Sequence, residues 1–180
     1  QSNGKYKSSI NVNIDSFDLN FIYNLIFTKK FSSEIGDVVS LEKFFHVVWT
    51  IFIYRSGASI LVRDYDKRDN IVDLTEWMPS IREIHVQNKS EYSDNFVDTC
   101  AIVAEYIEET ISNQPSDKKF MSSVSEKLSH DNIVFSVIGY DNLKGMKNAI
   151  EICERRFIFI LDGFDSKFDD FRNQTIAGIG

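Results

Sequence analysis

Acidic side chains follow an uninterrupted apolar run near residue 160. The run covers residues 157–161, and after it come Asp162, Asp165 and the pair Asp169 and Asp170. Carboxylates held at the end of a buried segment can bind a divalent cation through their oxygen atoms, or they can orient a water molecule for reaction. Either role requires a structural element that holds these carboxylates in place.

The apolar run is typical of a central strand in a parallel sheet, because five consecutive apolar residues need cover on both faces. Asp162 would stand at the carboxyl end of that strand, where ligands of open parallel sheets gather. Near the start of the chain, Ile10, Val12 and Ile14 alternate with small polar residues, which predicts a second strand. We expect the two strands to run parallel as neighbours or near neighbours in one sheet.

Two long helices are predicted from apolar residues spaced at i, i+3, i+4 and i+7. The first begins after Ser40, a candidate N-cap, and Ser56 and Gly57 are expected to interrupt it, which argues against a membrane span. Its apolar face consists of Leu41, Phe44, Phe45, Val48, Trp49 and Phe52. The second covers residues 93–113, and its apolar side consists of Phe96, Cys100, Val103, Ala104, Ile107 and Ile111.

The other segments carry weaker patterns. Residues 142–156 are predicted to be a helix, and residues 62–80 a surface connection with at most a short helix before Pro79. Residues 132–140 fit either a strand or the tail of a preceding helix. Helices with a few apolar strands predict an α/β fold, in which helices cover a partial parallel sheet. Residues 4–180 suit one domain, and residues 1–3 have the form left by cleavage of an expression tag.

The net charge and the spacing of cysteine and histidine residues exclude some classes of function. The net charge is −7, which disfavours nucleic acid as a partner because phosphate binding needs clustered Lys and Arg. Cys100 and Cys153 lack the spacing of a zinc site and are expected to be free, buried thiols in a reducing cytoplasm. His46 is expected to be a partly buried structural residue, whereas His85 and His130 show no Asp or Cys partner at a telling spacing. No signal peptide is visible, so we expect a cytoplasmic protein without a membrane partner.

The nine residues FIFILDGFD, 157–165, resemble the Walker B segment of NACHT-like and other STAND-type P-loop ATPases. The resemblance implies that Asp162 is the Mg²⁺-associated carboxylate and that Asp165 is a second acid that helps to position water. Gly163 fills the slot where many ATPases have a catalytic glutamate. Ser166 stands where such patterns usually have a further acid.

The resemblance also implies that ATP and Mg²⁺ act on the parent protein as a conformational switch. The phosphate-binding pattern G-x-x-x-x-G-K-[ST] does not occur in the 180 residues. We therefore expect the chain to be the central part of a larger ATPase core, whose remainder is its partner, with self-association as a further option. The chain alone is predicted to be inactive and to hold no tightly bound cofactor.

Two other functions fit the same residues. One is a non-catalytic interaction domain, α/β or mainly helical, without nucleotide chemistry. The other is a Mg²⁺-dependent enzyme acting on phosphates or phosphodiesters through Asp162, Asp165 and Asp169. Locally, Asp162 and Asp165 also fit a solvated turn after a core strand, and Asp169 and Asp170 fit the first turn of a helix, where the dipole favours acids.

Overall fold

The computed structural model describes residues 7–13, 39–67, 73–86, 92–113, 126–153 and 156–162. Within these ranges the chain forms two strands and five helices of nine residues or more. In chain order they are β1 (Lys7–Asn13), α1 (Leu41–Asp66), α2 (Met78–Val86), α3 (Tyr92–Ser112), α4 (His130–Ile138), α5 (Tyr140–Ile152) and β2 (Arg156–Asp162). Helices α2, α3 and α4 pack on α1, and α5 packs on α2.

The predicted α/β fold class is wrong. Helices dominate the described residues, and β1 and β2 form only a two-stranded ribbon, which is not a parallel sheet between layers of helices. The side chains of β2 give the physical reason. Phe157 and Phe159 pack against the core, whereas Ile158 and Ile160 are 42% and 49% exposed. The apolar run is thus covered on one face and not on both.

The parallel pairing expected of the two strands is confirmed. In the register, Lys7 lies opposite Arg156 and Asn13 lies opposite Asp162. Because parallel strands run in the same direction, their carboxyl ends meet at one edge of the ribbon. This edge therefore brings together two residues that are distant in sequence, Asn13 and Asp162.

Helix α1 begins where the sequence predicts and ends much later. The Ser40 hydroxyl accepts a hydrogen bond from the Lys43 amide at 3.2 Å, so the predicted N-cap is confirmed. The predicted interruption at Ser56 and Gly57 is wrong, since the helix continues to Asp66. Both residues are buried against neighbouring elements, and this packing outweighs the cost of about 1 kcal/mol that glycine carries inside a helix.

The predicted apolar face of α1 is buried. Its members Phe44, Phe45, Val48, Trp49 and Phe52 are at most 3% exposed, while the side chain of Leu41 lies outside the described residues. Val47 and Ile51, off that face, are also fully buried. The rings of Trp49 and Phe52 contact Phe96 of α3, with centroids 4.6 and 5.6 Å apart. Helix α1 is therefore enclosed on most of its sides.

By length and composition, one helix among the described residues could cross a membrane. It is the Glu42–Asp66 part of α1, in which an 18-residue window has a mean hydropathy of 1.4. Within the protein, 72% of this apolar window is buried. Burial of this kind is also what the core helix of a globular protein shows, because such a helix is apolar all round.

The segments with weaker patterns are helical. Residues 132–138 belong to α4, whose N-cap Ser129 accepts a hydrogen bond from the Asn132 amide at 3.4 Å. Residues 62–66 continue α1, and α2 begins at Met78 with Pro79 in its first turn, a position that proline tolerates. The expected surface connection is correspondingly shorter than predicted. The helix predicted over 93–113 is confirmed as α3. The helix predicted over 142–156 is confirmed as α5 only as far as Ile152, since Cys153 follows the end of α5 and Arg156 begins β2.

Helices α2 and α5 approach each other closely at Gly145. A Cβ atom at this position would lie 2.6 Å from the Ser80 Cβ, which is closer than real Cβ contacts allow. At Gly57 of α1, by contrast, a Cβ would meet the flexible terminal methyl of Met146 at 3.0 Å. The surroundings of Gly57 can therefore accommodate an added methyl group more easily than those of Gly145.

We expect Phe44→Ala to lower the free energy of unfolding by roughly 3–5 kcal/mol, the usual cost of an aromatic cavity in a core. Urea denaturation followed by circular dichroism measures the change. Ile53→Ala on the same helix is the control, because Ile53 is 40% exposed, and it should cost only about 1 kcal/mol. Equal losses for the two variants would contradict the burial pattern of α1.

We expect Gly145→Ala to destabilise the protein by roughly 1–3 kcal/mol, because the added methyl forces α2 and α5 apart. Gly57→Ala should cost much less, since the Met146 side chain can move. Adding Ser80→Gly to Gly145→Ala removes the opposing Cβ and should restore part of the lost stability. Thermal unfolding of the four proteins tests this, and a Gly145→Ala variant as stable as the parent would refute the close approach.

Candidate functional site

Asp162 is the last residue of β2, at the edge where the carboxyl ends of both strands meet. The anchoring residues upstream are Phe157 and Phe159, which pack against the helical core. The Phe157 ring lies near the backbone of α1, since a Cβ at Gly57 would be 3.9 Å from it. The backbone at Asp162 is thus tied through β2 to the central helix.

The residue opposite Asp162 in the register is Asn13 of β1. Carboxylate and amide oxygens are the hard ligands that Mg²⁺ prefers, and a nucleotide-bound Mg²⁺ takes only one or two protein ligands besides phosphates and water. Among the described residues, no three His, Cys, Asp or Glu side chains come together as a metal-binding group. The side chains of Asn13 and Asp162 lie outside the described residues, so the structure gives only the backbone positions of this pair. Asp165, the other predicted site residue, lies outside the described residues, as do Asp169 and Asp170.

A second constellation involves His130, for which the sequence shows no Asp or Cys partner at a telling spacing. The His130 ring contacts the Asp131 carboxylate through Nδ1 at 2.9 Å and the Thr50 hydroxyl through Nε2 at 3.0 Å. His46, expected to be partly buried, is exposed, and its ring lies 4.5 Å from that of His130. Sequence reasoning gave this pair no weight, because Asp131 is adjacent to His130 and that spacing is not typical of a catalytic or metal site.

The hydrogen bonds of His130 connect two helices. The Thr50 hydroxyl of α1 donates to the His46 backbone carbonyl at 2.9 Å and contacts Nε2 of His130 at 3.0 Å. Nδ1 of His130 faces the Asp131 carboxylate, which is an acceptor, so Nδ1 is the donor in that contact. Through these contacts His130 links α1 to α4.

The other two polar links from α1 reach α2 and α3. The Ser59 hydroxyl, which donates to the Arg55 carbonyl, contacts Nδ1 of His85 in α2 at 3.1 Å. The Arg55 guanidinium donates through Nη1 to the Thr99 hydroxyl of α3 at 3.2 Å. Thr50, Arg55 and Ser59 of α1 are therefore each matched by a polar group on a different neighbouring helix.

Arg55 is the largest fully buried side chain among the described residues, with 1% of its surface exposed. Burial lowers the pKa of its guanidinium, and the nearby Asp98 carboxylate offsets part of that shift. Thr99 in turn donates to the Asn95 backbone carbonyl at 2.6 Å. Sequence reasoning did not single out Arg55, because its burial depends on the helices that surround α1 and not on the pattern of α1 itself.

The two cysteines are free thiols, and they differ in their surroundings. Cys100 is fully buried in α3, and burial raises the pKa of its thiol far above the ordinary value because the thiolate is disfavoured in an apolar setting. Cys153 is half-buried. Cys100 therefore behaves as a small apolar core residue and offers no reactive nucleophile.

Comparison with known proteins adds no relative: no family model, no curated protein and no solved structure matches this chain. Its function is therefore argued from its own residues.

We expect Asp98→Asn to destabilise the protein by about 1 kcal/mol, because the buried Arg55 guanidinium then loses a compensating negative charge. In an Arg55→Met background, Asp98→Asn should change the free energy of unfolding by less than about 0.5 kcal/mol, as a double-mutant cycle requires of a coupled pair. Chemical denaturation of the four proteins gives the coupling. The same loss in both backgrounds would show that the two side chains act independently.

Proposed function

We propose that this chain supplies the Walker B side of an ATP-dependent conformational switch, with Asp162 as the Mg²⁺-associated carboxylate. The observation that carries the proposal is the parallel pairing of β1 and β2, which sets Asp162 at the edge where both carboxyl ends meet. An antiparallel pairing would have opposed this role. The sequence FIFILDGFD supports it through its resemblance to the Walker B segment of STAND-type ATPases.

In this proposal Asp162 acts through the metal ion. When bound, Mg²⁺ would neutralise charge on the nucleotide phosphates, and the Asp162 carboxylate would hold the ion or its water shell. Anchoring of β2 through Phe157 and Phe159 keeps the backbone of the carboxylate in a fixed position, which lowers the reorganisation needed when a ligand binds. Asp165 would hold a water molecule beside it.

Phosphate binding is assigned to another part of the ATPase core. Affinity for a triphosphate comes mainly from a nest of backbone amides and a lysine, and the 180 residues contain no G-x-x-x-x-G-K-[ST] pattern to provide it. The chain carries a net charge of −7, which repels a free nucleotide. By itself, therefore, the chain should show no saturable binding of Mg-ATP at micromolar concentration in calorimetry.

In the full-length gene product, we expect Asp162→Ala to reduce ATP hydrolysis by roughly 10²–10³-fold, the usual effect of removing one group that stabilises transition-state charge. Phosphate release under saturating Mg-ATP measures the change. Asp141→Ala is the matched control, because Asp141 is an exposed acid on α5 outside the strand edge, and it should leave the rate unchanged. Circular dichroism checks that both variants remain folded.

Hydrolysis at the parental rate in the folded Asp162→Ala protein would refute the Walker B assignment. Tight Mg-ATP binding by the isolated chain would also contradict the proposal, since it would require a phosphate site within these 180 residues. Location in the cytoplasm and association with the remainder of an ATPase core belong to the same proposal.

A second candidate is a non-catalytic, mainly helical interaction domain. The observation that favours it is the predominance of helix among the described residues, together with two exposed isoleucines, Ile158 and Ile160, on one face of β2. The ATPase measurement separates the two candidates. A full-length protein that neither binds nor hydrolyses ATP, with or without Asp162, would favour the interaction domain.

A further inference from the structure

A groove of about 560 Å³ lies between the carboxyl-terminal half of α3 and the start of α4. Tyr106, Glu109 and Asn113 line it from α3, and Lys127 and Phe135 line it from the other side. Its volume falls within the range of small-molecule sites. The groove is remote in sequence from Asp162, and its role is independent of the proposed nucleotide chemistry.

The neutral polar groups of the groove are largely occupied by each other. The Tyr106 hydroxyl donates to the Ser136 hydroxyl at 3.1 Å, and the Thr110 hydroxyl donates to the Tyr106 carbonyl at 2.8 Å. The charged groups are not. Glu109 and Lys127 are both exposed, and neither makes an ion pair with any residue that the structure describes. The groove thus presents two opposite charges that do not neutralise each other.

The two charges come from the two sides of the groove, Glu109 from α3 and Lys127 from the segment before α4. Glu109 belongs to the last turn of α3, which contains no basic residue. The carbonyl end of a helix carries partial negative charge, which adds to the carboxylate and favours a cation there. Lys127 favours an anion at the other side, and the rings of Tyr106 and Phe135 offer apolar surface, over which an aromatic or aliphatic body can pack.

We propose that this groove binds a small zwitterion of the aromatic amino-acid class. Its ammonium group lies by Glu109 and the carboxyl end of α3, its carboxylate group lies by Lys127, and its ring packs on Phe135. The two charges of the ligand replace solvent at two charged side chains of the protein, so each should contribute separately to affinity.

Titration of the full chain with L-phenylalanine, phenethylamine and 3-phenylpropionate, followed by ¹H–¹⁵N chemical shifts, tests the proposal. L-Phenylalanine carries both charges, and each of the others carries one. We expect L-phenylalanine to bind with a Kd of about 1 mM. Each one-charge compound should bind roughly 5-fold more weakly, as the loss of one exposed charge contact implies. The largest shifts should lie at the groove residues.

Two variants assign the charges. Glu109→Gln should weaken L-phenylalanine and phenethylamine about 5-fold and leave 3-phenylpropionate unchanged, whereas Lys127→Met should weaken the two carboxylates and leave phenethylamine unchanged. Glu105→Gln and Lys144→Met are matched controls, because both residues are exposed and neither lines the groove. Absence of saturation up to about 10 mM, or equal effects from the controls, would overturn the proposal.

Discussion

The enclosure of α1 is the constraint on which the rest of this structure depends. Helices α2, α3 and α4 pack around it, and the Phe157 ring of β2 lies near it at Gly57. Burial of large apolar side chains is the main favourable term in folding, and α1 contributes Phe44, Phe45 and Phe52 among many others to the core. The neighbouring helices therefore cover the apolar surface of α1.

Apolar burial alone does not determine how each neighbour is placed on α1, because it is not directional. Three polar contacts supply direction: Thr50 with His130 of α4, Arg55 with Thr99 of α3, and Ser59 with His85 of α2. They follow one another along α1 at intervals of roughly one turn, and each reaches a different helix. Polar groups that are satisfied in one arrangement and unsatisfied in others specify that arrangement, so these contacts fix the rotation and register of the helices.

The strand that carries Asp162 depends on the same helix. Its inner side chains, Phe157 and Phe159, pack on the core, while Ile158 and Ile160 remain about half exposed. One face of β2 is thus covered by the core, and the face that carries the two isoleucines is partly open to solvent. The groove between α3 and α4 lies elsewhere and is built from helix ends, so a ligand there and a ligand at the strand edge would meet different parts of the protein.

Local periodicity in the sequence was sufficient to predict the apolar face of α1, its Ser40 cap, helices α3 and α5, and the presence of two strands. These features depend on residues within a few turns of each other, whereas the parallel pairing of the strands was expected from the P-loop arrangement that FIFILDGFD resembles. Tertiary structure alone decided that α1 continues through Ser56 and Gly57, that residues 132–138 are helical, and that β2 is covered on one face. It also brought His130 to Thr50, 80 residues away in sequence. The physical reason is that burial and hydrogen-bond partners depend on which surfaces meet, and a pattern along the chain does not contain that information.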